Sequence, residues 1–231
     1  MKNKTNLLKF FAMTLTALFS ACSEDTPSEP KDTFDASIVC PAEGNNIYGE
    51  PNRGTFTDTR DGQVYKYTTS GDQVWMAENL KFDAPYSLCY DKIEGFCDTF
   101  GRFYSLIVGG EIMGLFDKAL VDTICPTGWC GPNMDEWGVL LTKVGNPARL
   151  MSASTFGELY IPGSDECGFN SLPSGYWLLD NSLSHEYISS VYWTSSARNV
   201  QSAYNYAFTS TSFSYDANHP KMSIRCIKDS L

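Results

Sequence analysis

The chain has 231 residues and a formal charge of −10 at pH 7, and 42% of its residues are hydrophobic. This length is compatible with one domain that buries a substantial core. An acidic surface repels nucleic-acid phosphates and anionic headgroups, so nucleic acid is excluded as an expected partner.

The N-terminus has the pattern of a secretory signal. Three lysines precede an apolar run at residues 10–19, which is too short to span a bilayer as a stable helix. Ser20 and Ala21 then precede Cys22, as lipoprotein signal peptidase requires. We therefore expect removal of residues 1–21, which leaves a charge of −13, and a lipid anchor on Cys22 that holds the protein on a membrane. Phe19 stands where such sites usually have leucine, so an ordinary secreted protein and an uncleaved anchor are the alternatives.

A polar segment follows the predicted lipid anchor. Residues 23–35 are rich in Ser, Pro, Asp, Glu and Thr, which is typical of a solvated spacer. We therefore predict that residues 22–54 are the lipidated cysteine and a tether, and that residues 55–229 are the folded domain. The Ser-Glu-Asp sequence at 23–25 resembles the acidic tags of surface-exported lipoproteins of the Bacteroidetes type. This implies a lipid-anchored, surface-exposed position at the outer membrane.

The segment 133–145 has a well-marked helix pattern. Asn133 is a typical N-cap, and Glu136 can bond back to it, which predicts a capping box. Gly145 can adopt the left-handed conformation that ends many helices. Apolar residues between them recur at helical spacing and predict one buried face: Trp137, Leu140, Leu141 and Val144.

Alternating patterns predict antiparallel strands on both sides of this helix. Residues 64–69 and 73–76 flank a Ser-Gly-Asp turn and predict a hairpin. Residues 191–195, 203–208 and 222–227 predict a closing meander.

Two further segments have mixed patterns. Residues 101–113 are compatible with a strand or with a helix, although two adjacent glycines oppose the helix. Residues 147–190 are rich in Gly, Pro, Ser and Asn, and this span is too long for a simple connection. We expect short strands and turns there, which would form the functional face if one exists.

Seven cysteines remain besides Cys22. In an exported chain they indicate disulfides rather than metal ligands or nucleophiles, but their spacing alone does not choose a pairing. Cys125 and Cys130 could instead form a redox or metal pair. Zinc sites usually need closer spacing and further ligands, and this chain has only two histidines, so structural disulfides are favoured.

Five motifs along the chain resemble those of one family. They occur in the family's order, from about residue 55 to residue 227: Asp61-Gly-Gln-x-Tyr65, Gln73-x-Trp-Met-Ala-Glu-Asn-Leu80, Gly101-Arg-Phe-Tyr104, Cys125-Pro-x-Gly-Trp129 with Pro132 and Asp135-Glu-Trp137, and Ser223-Ile-Arg-Cys226. The chain thereby resembles the Fibrobacter succinogenes major paralogous domain family. The resemblance implies no assigned activity.

The family resemblance also implies local structure. It favours a helix over residues 104–113. It implies three disulfides: Cys89–Cys97, Cys125–Cys226 and Cys130–Cys167. The last pair is implied because both positions usually hold other residues in the family, and Cys40 would then be free or bonded to another chain.

The order of the elements carries a second resemblance, to the C-type lectin-like fold shared by formylglycine-generating enzymes. It implies an α+β fold class: a single disulfide-stapled, C-type lectin-like domain, with an antiparallel hairpin and meander around one or two helices. Calcium-dependent sugar binding in that fold needs carboxylate or amide ligands that the segment 193–196 lacks. A copper-binding cysteine pair near the C-terminus is also missing, since only Cys226 lies there. We expect no metal and no cofactor.

The sequence contains no recognisable catalytic motif. It has no Gly-x-Ser-x-Gly elbow, and neither histidine lies in a known motif. Paired carboxylates for glycoside hydrolysis could form only by spatial proximity, and capping or turn formation explains each candidate. The candidates are Asp58, Asp61, Glu78, Glu136, Asp165 and Glu166. We expect that the protein is not an enzyme.

Two function hypotheses remain. The first is a surface recognition or adhesion module that binds an extracellular polysaccharide or protein through exposed aromatic side chains. The second is a structural envelope lipoprotein without a small-molecule site, in which these aromatics pack in the core. The residues favour both over a carbohydrate-active enzyme. The aromatics are Tyr176, Trp177, Tyr187, Tyr192, Trp193, Tyr204 and Tyr206, and the candidate binding residues are Tyr176, Trp177, Tyr192 and Trp193.

Overall fold

A computed structural model describes residues 32–85, 87–90, 94–105, 107–108, 111–112, 123–178, 182–184, 186–199, 202–208, 213–216 and 221–229. The predicted signal peptide, Cys22 and both histidines lie outside these residues. Within them, no helix has the length and apolar character needed to cross a membrane.

Helices form a small part of the described structure. They are α1 (Ala36–Val39), α2 (Phe96–Phe100) and α3 (Met134–Val144), with a 3-10 turn at Pro147–Arg149. The capping box predicted for α3 is confirmed, because Asn133 Oδ1 accepts from Glu136 N at 2.9 Å and Glu136 Oε2 accepts from Asn133 N at 2.7 Å. Gly145 follows with φ 67°, and the predicted apolar face is buried.

The first sheet contains the predicted N-terminal hairpin. Its five antiparallel strands lie in the order β1 (Arg53–Thr57), β2 (Val64–Ser70), β3 (Gln73–Met76), β15 (Ile227–Lys228) and β8 (Trp129–Cys130). The last described strand therefore lies inside the sheet, beside the strand that leads into α3.

Three further sheets lie in the described part of the chain. One has the order β10 (Leu183–Ser184), β9 (Tyr176–Trp177), β14 (Lys221–Met222), β5 (Phe103–Ser105) and β4 (Ser87–Leu88). Another has the order β11 (Ser190–Asn199), β12 (Ser202–Phe208) and β13 (Phe213–Asp216). The third is the pair β6 (Ile107–Val108) and β7 (Glu111–Ile112). The described fold is thus mixed α+β and mostly antiparallel β.

Two secondary-structure predictions require correction. The helix implied over residues 104–113 is wrong, because β5, β6 and β7 occupy this segment and β5 pairs with β4 and β14. The third meander strand predicted at 222–227 is divided between β14 and β15, which join two other sheets. β13 instead pairs with β12, so the meander is completed by a strand that the alternation pattern missed.

The folded unit begins before the predicted boundary at residue 55. Residues 34–231 form one compact unit. Cys40 is buried in it, Gly71 N donates to Val39 O at 2.8 Å, and Thr69 Oγ1 donates to Asn52 O at 2.9 Å. Residues 34–54 are therefore part of the domain rather than of the tether, because these backbone and side-chain contacts fix them to β2 and its turn.

Candidate functional site on the loop face

Arg225, from the closing Ser-Ile-Arg-Cys motif, is fully buried. Its guanidinium donates to Asn79 Oδ1 and to the carbonyl oxygens of Phe169 and Asn170, and it lies 4.5 Å from the centroid of the Phe169 ring. Asn79 in turn donates to Phe100 O at 2.8 Å. Neutral acceptors and an aromatic face thus stabilise a buried cation. The motif at residues 223–226 therefore contacts the motif at residues 73–80 in the core.

The motif at residues 73–80 also meets the motif at residues 125–137 at the buried face of α3. The rings of Trp75 and Trp137 are 4.7 Å apart, and Tyr192 stacks on Trp137 at 5.5 Å. Gln73 Nε2 also donates to Glu136 O at 3.0 Å, which ties β3 to the first turn of the helix. The motif residues in these contacts therefore specify the packing of the domain rather than a surface site.

The described cysteines form three disulfides: Cys40–Cys167, Cys89–Cys97 and Cys125–Cys226. The last two are the pairs that the family resemblance implied. The implied Cys130–Cys167 pair is wrong, and so is the expectation that Cys40 stays outside the intramolecular pairs. Arg53 Nη2 donates to Cys40 O and to Glu166 O, and these two hydrogen bonds hold the segments of Cys40 and Cys167 together. Cys130 is a buried thiol whose strand pairs with Ile227.

Most of the predicted aromatic binding residues lie in the core. Trp177, Tyr192 and Trp193 are buried, and Trp193 Nε1 donates to Tyr104 O at 2.9 Å. Tyr176 is half-buried and packs against the core. These residues do not form the exposed platform that sugar stacking requires, so the binding prediction is wrong for the three buried members. Tyr192 and Trp193 are adjacent in β11 and are both buried, so both faces of this strand are covered here, as the packing alternative proposed.

The candidate carboxylates take part in local structure. Their partners are Arg60 for Asp58, Gln63 for Asp61, the Lys66 amide for Glu78, the Asn133 amide for Glu136, the Asn170 amide for Asp165, and Ser164 for Glu166. These contacts close turns or cap a helix. Among the residues that the structure describes, no group of three or more His, Cys, Asp or Glu side chains could hold a metal ion.

Asp165 has an unusual environment within the long span 147–190. Burial raises the pKa of its carboxyl to about 6, although hydrogen bonds from the Asn170 and Phe169 amides and the charge of Arg225 act in the opposite direction. Its backbone has φ 47°, and Asn170 has φ 50°. This left-handed conformation is uncommon outside glycine. The turn is therefore held by its contacts with the core, since Asn170 O accepts from the buried Arg225.

The same span also carries exposed apolar side chains. Leu159 is 73% exposed and Ile161 is 64% exposed, and Ile188 is exposed on the neighbouring turn. A Cβ on Gly157 would lie 3.3 Å from the Cβ of Tyr187, so the two turns are in contact. We call residues 156–161 with Tyr187 and Ile188 the loop face. Apolar side chains that are exposed side by side mark interaction sites, whereas single ones are ordinary, so we take the loop face as the candidate functional site because its two turns are in contact.

Contacts beneath the loop face fix its shape. Tyr160, between the two exposed residues, is buried and donates from its hydroxyl to Ser152 O at 2.8 Å. Burial raises the pKa of Tyr160 to about 12, so this hydroxyl remains a donor at neutral pH. The Phe156 ring lies 5.3 Å from Phe100 and 5.4 Å from Tyr160. Phe156 and Tyr160 thus attach the loop to the core, while Leu159 and Ile161 remain exposed.

Tyr187 adds a strained position to the loop face. It has φ 59°, which is a true outlier for a bulky residue. Its amide donates to Pro173 O at 2.9 Å, and its ring packs edge-on against Phe100 at 5.9 Å. Such strain persists where surrounding contacts impose it, and it often occurs at functional sites. The side chains of Tyr204 and Tyr206, also considered as binding residues, lie outside the described part of the chain.

Comparison with known families identifies the domain. A family model described as the Fibrobacter succinogenes major domain matches residues 69–228, more than half of the chain. The chain belongs to the Fibrobacter succinogenes major domain family. The comparison with curated proteins finds no match, and the comparison with solved structures finds none either.

The Fibrobacter succinogenes major domain match covers the loop face as well as the buried motif residues. It begins after β1 and thus leaves out residues 34–68, although Cys40 is bonded to Cys167 within the matched region. Sequence reasoning expected the functional face, if one exists, in the span 147–190 but did not name Leu159 or Ile161. Their signal is the alternation around Tyr160, which places one aromatic side chain inside and two aliphatic ones outside.

Proposed function

We propose that this protein is a cell-surface lipoprotein, anchored to the outer membrane through Cys22, whose domain is a non-catalytic module that recognises a protein partner. The observation that carries the proposal is the exposure of Leu159 and Ile161 on a loop whose base is fixed in the core. A rigid apolar projection loses little conformational entropy when a partner covers it. Recognition or adhesion is the function that such a surface serves.

The chemistry of the loop face favours a protein over a polysaccharide. Sugar rings are usually bound by stacking on exposed aromatic side chains, and the predicted aromatic residues Trp177, Tyr192 and Trp193 are buried. Aliphatic groups such as Leu159 and Ile161 instead match the apolar centre of a protein interface. Glu158 is exposed beside them, and the partly exposed Glu186 lies on the neighbouring turn. The expected partner therefore presents an apolar depression with basic groups at its rim.

The remaining parts of the proposal rest on the covalent framework and the element order. Disulfides persist in oxidising compartments, so three of them support an exported domain. The local roles of the candidate carboxylates support a non-catalytic function. We assign the domain a C-type lectin-like architecture, in which a hairpin and antiparallel strands surround α3 and a long loop region forms the binding face.

A cell-binding assay tests recognition by the loop face. Labelled protein lacking residues 1–22 is added to intact cells of the organism that encodes it, after mild protease treatment, periodate oxidation or neither. We expect saturable binding that protease abolishes and periodate leaves unchanged. Loss after periodate alone would instead identify a polysaccharide partner, and the absence of saturable binding would favour the structural envelope role.

Matched variants locate the binding surface in the same assay. The double variant Leu159→Asp and Ile161→Asp should weaken binding at least about 30-fold, which corresponds to the 2 kcal/mol loss of an interface hot spot. The control is Ile38→Asp with Val64→Asp, since these residues are 74% and 58% exposed outside the loop face. Equal effects of both double variants would contradict recognition through the loop face.

The lipid anchor has its own test. Metabolic labelling with a radioactive fatty acid should label the full chain and should not label the Cys22→Ser variant. Protease added to intact cells should then digest the labelled protein if it is displayed outside. Failure to label Cys22 would remove the anchor from the proposal without affecting the assignment of the loop face.

A structural envelope lipoprotein is the second candidate function. It is favoured by the burial of Trp177, Tyr192 and Trp193, which leaves the predicted aromatic platform without its main members. It would show no saturable partner in the cell-binding assay.

A further inference from the structure

The outward side of α3 carries a shallow apolar groove of about 600 Å³. It is lined by Met134, Asp135, Gly138, Val139, Thr142 and Lys143. Val139 is 43% exposed in this groove, although the opposite face of the same helix is fully used by the core. The edges of the groove are used by the domain, since Met134 packs against the core and the Lys143 side chain lies against Gly71 in the turn between β2 and β3, whereas Val139 at its centre is exposed.

Gly138 in the middle of α3 has no explanation within the domain. A Cβ at this position would meet no atom of the described residues within 4 Å, and its backbone does not have a left-handed φ. A glycine in a helix interior costs about 0.5–1 kcal/mol relative to alanine. Glycine lowers the stability of the helix at position 138, and neither the backbone conformation nor the described packing requires it there. Its effect is to leave space for another backbone or side chain to approach α3.

The charges at the two ends of the groove are complementary to a second copy of the same groove. Asp135 and Lys143 are each four positions from Val139, so each lies about 6 Å along the axis from it. If two copies of α3 cross antiparallel at Val139, Asp135 of each copy lies at the level of the other copy's Lys143, whose ammonium lies beside Gly71 at the edge of the groove. The antiparallel arrangement also aligns the helix dipoles favourably.

We propose that this groove is a homodimer interface, in which two copies of α3 pack antiparallel about a two-fold axis at Val139. Gly138 of each copy accommodates the Val139 side chain of the other, and the two pairs of Asp135 and Lys143 set the orientation. A two-fold interface uses the same patch on both subunits, as the symmetric spacing of these charges requires. This inference is independent of the loop face, whose residues lie outside the groove.

Sedimentation equilibrium of the protein lacking residues 1–22 tests the dimer. That protein keeps the whole compact unit at 34–231. It is measured near 150 mM salt, where repulsion between the acidic copies is screened beyond about 8 Å. We expect a reversible monomer–dimer equilibrium. A protein that stays monomeric up to about 0.5 mM would overturn the proposal, because such an affinity would be too weak for a specific interface.

Charge reversal then identifies the interface. Asp135→Lys or Lys143→Asp alone places like charges together at two symmetric contacts, and each should weaken the dimer at least about tenfold. The double variant should restore the dimer, and an equimolar mixture of the two single variants should form heterodimers. Glu43→Lys, outside the groove, changes the net charge by the same amount as Asp135→Lys and should have less than about a twofold effect.

Filling the groove provides a test that does not depend on charge. Gly138→Leu should abolish dimerisation while the urea midpoint of the monomer stays equal or rises, because a helix-favouring residue replaces glycine without an internal clash. A dimer that persists in Gly138→Leu, or that all the charge reversals leave unchanged, would show that the copies associate through another surface.

Discussion

Removing the Asn79 side chain should destabilise the domain through the buried Arg225. In Asn79→Ala the domain loses the hydrogen bond to Phe100 O, about 1 kcal/mol, and a hydrogen bond from a charged donor, about 1.5–3 kcal/mol. The expected loss in unfolding free energy is therefore about 2.5–4 kcal/mol. In an Arg225→Met background the second contribution is absent, so the same change should cost only about 1 kcal/mol.

Urea unfolding with intact disulfides measures this coupling in a double-mutant cycle. The wild type, Asn79→Ala, Arg225→Met and the double variant are compared at one pH, and thiol counting verifies that the disulfide at the neighbouring Cys226 has formed. We expect a coupling free energy of at least about 1.5 kcal/mol between the two positions. If the two losses add within about 0.5 kcal/mol, then Asn79 does not stabilise the buried guanidinium and the motif residues have another role.

Three further predictions follow from the described contacts. In protein lacking residues 1–22, a thiol reagent should find no reactive thiol in the folded state and one after unfolding, and mapping should place it at Cys130; a thiol at Cys40 would refute the disulfide assignment. Replacing Cys125 and Cys226 together by serine should lower the free energy of unfolding by about 4–5 kcal/mol, because their bond closes a loop with a sequence separation of 101. A loss of less than about 1 kcal/mol in urea unfolding would contradict this. Since the pKa of Asp165 is raised to about 6 from 3.8, the folded state binds its proton more tightly, so its contribution to stability should fall as pH rises from about 4 to 6. Asp165→Asn keeps an acceptor for the Asn170 amide and suits a positive φ, so it should reduce that fall by about 1–3 kcal/mol, and an unchanged pH profile in urea unfolding would be evidence against the shift.

The sequence predicts those features whose causes are local. The start, end and buried face of α3 follow from residues within one segment, since the cap, the glycine and the apolar spacing all act within a few positions. The turn between β2 and β3 is predictable for the same reason. Motif resemblance also supplied the Cys125–Cys226 pair, whose members are far apart in the chain.

Features that depend on distant segments escaped sequence reasoning. The pairing of Cys40 with Cys167 depends on how residues 34–54 cross β2, and no pattern near either cysteine encodes that path. β5 contains two aromatic residues, which are typical of strands, yet the family resemblance favoured a helix there. The exposure of Leu159 was missed because the alternation around Tyr160 spans only three residues and does not say which of its two sides faces the core.

Photocrosslinking from the loop face shows whether a single protein partner contacts Leu159 in cells. A photoreactive amino acid is placed at position 159 or, as the control, at position 38, where the native side chains have nearly equal exposed fractions. After irradiation of living cells, we expect one discrete, protease-sensitive adduct from position 159 and none from position 38. Adducts of equal yield from both positions, or none from position 159 in cells that bind the protein saturably, would contradict recognition through the loop face.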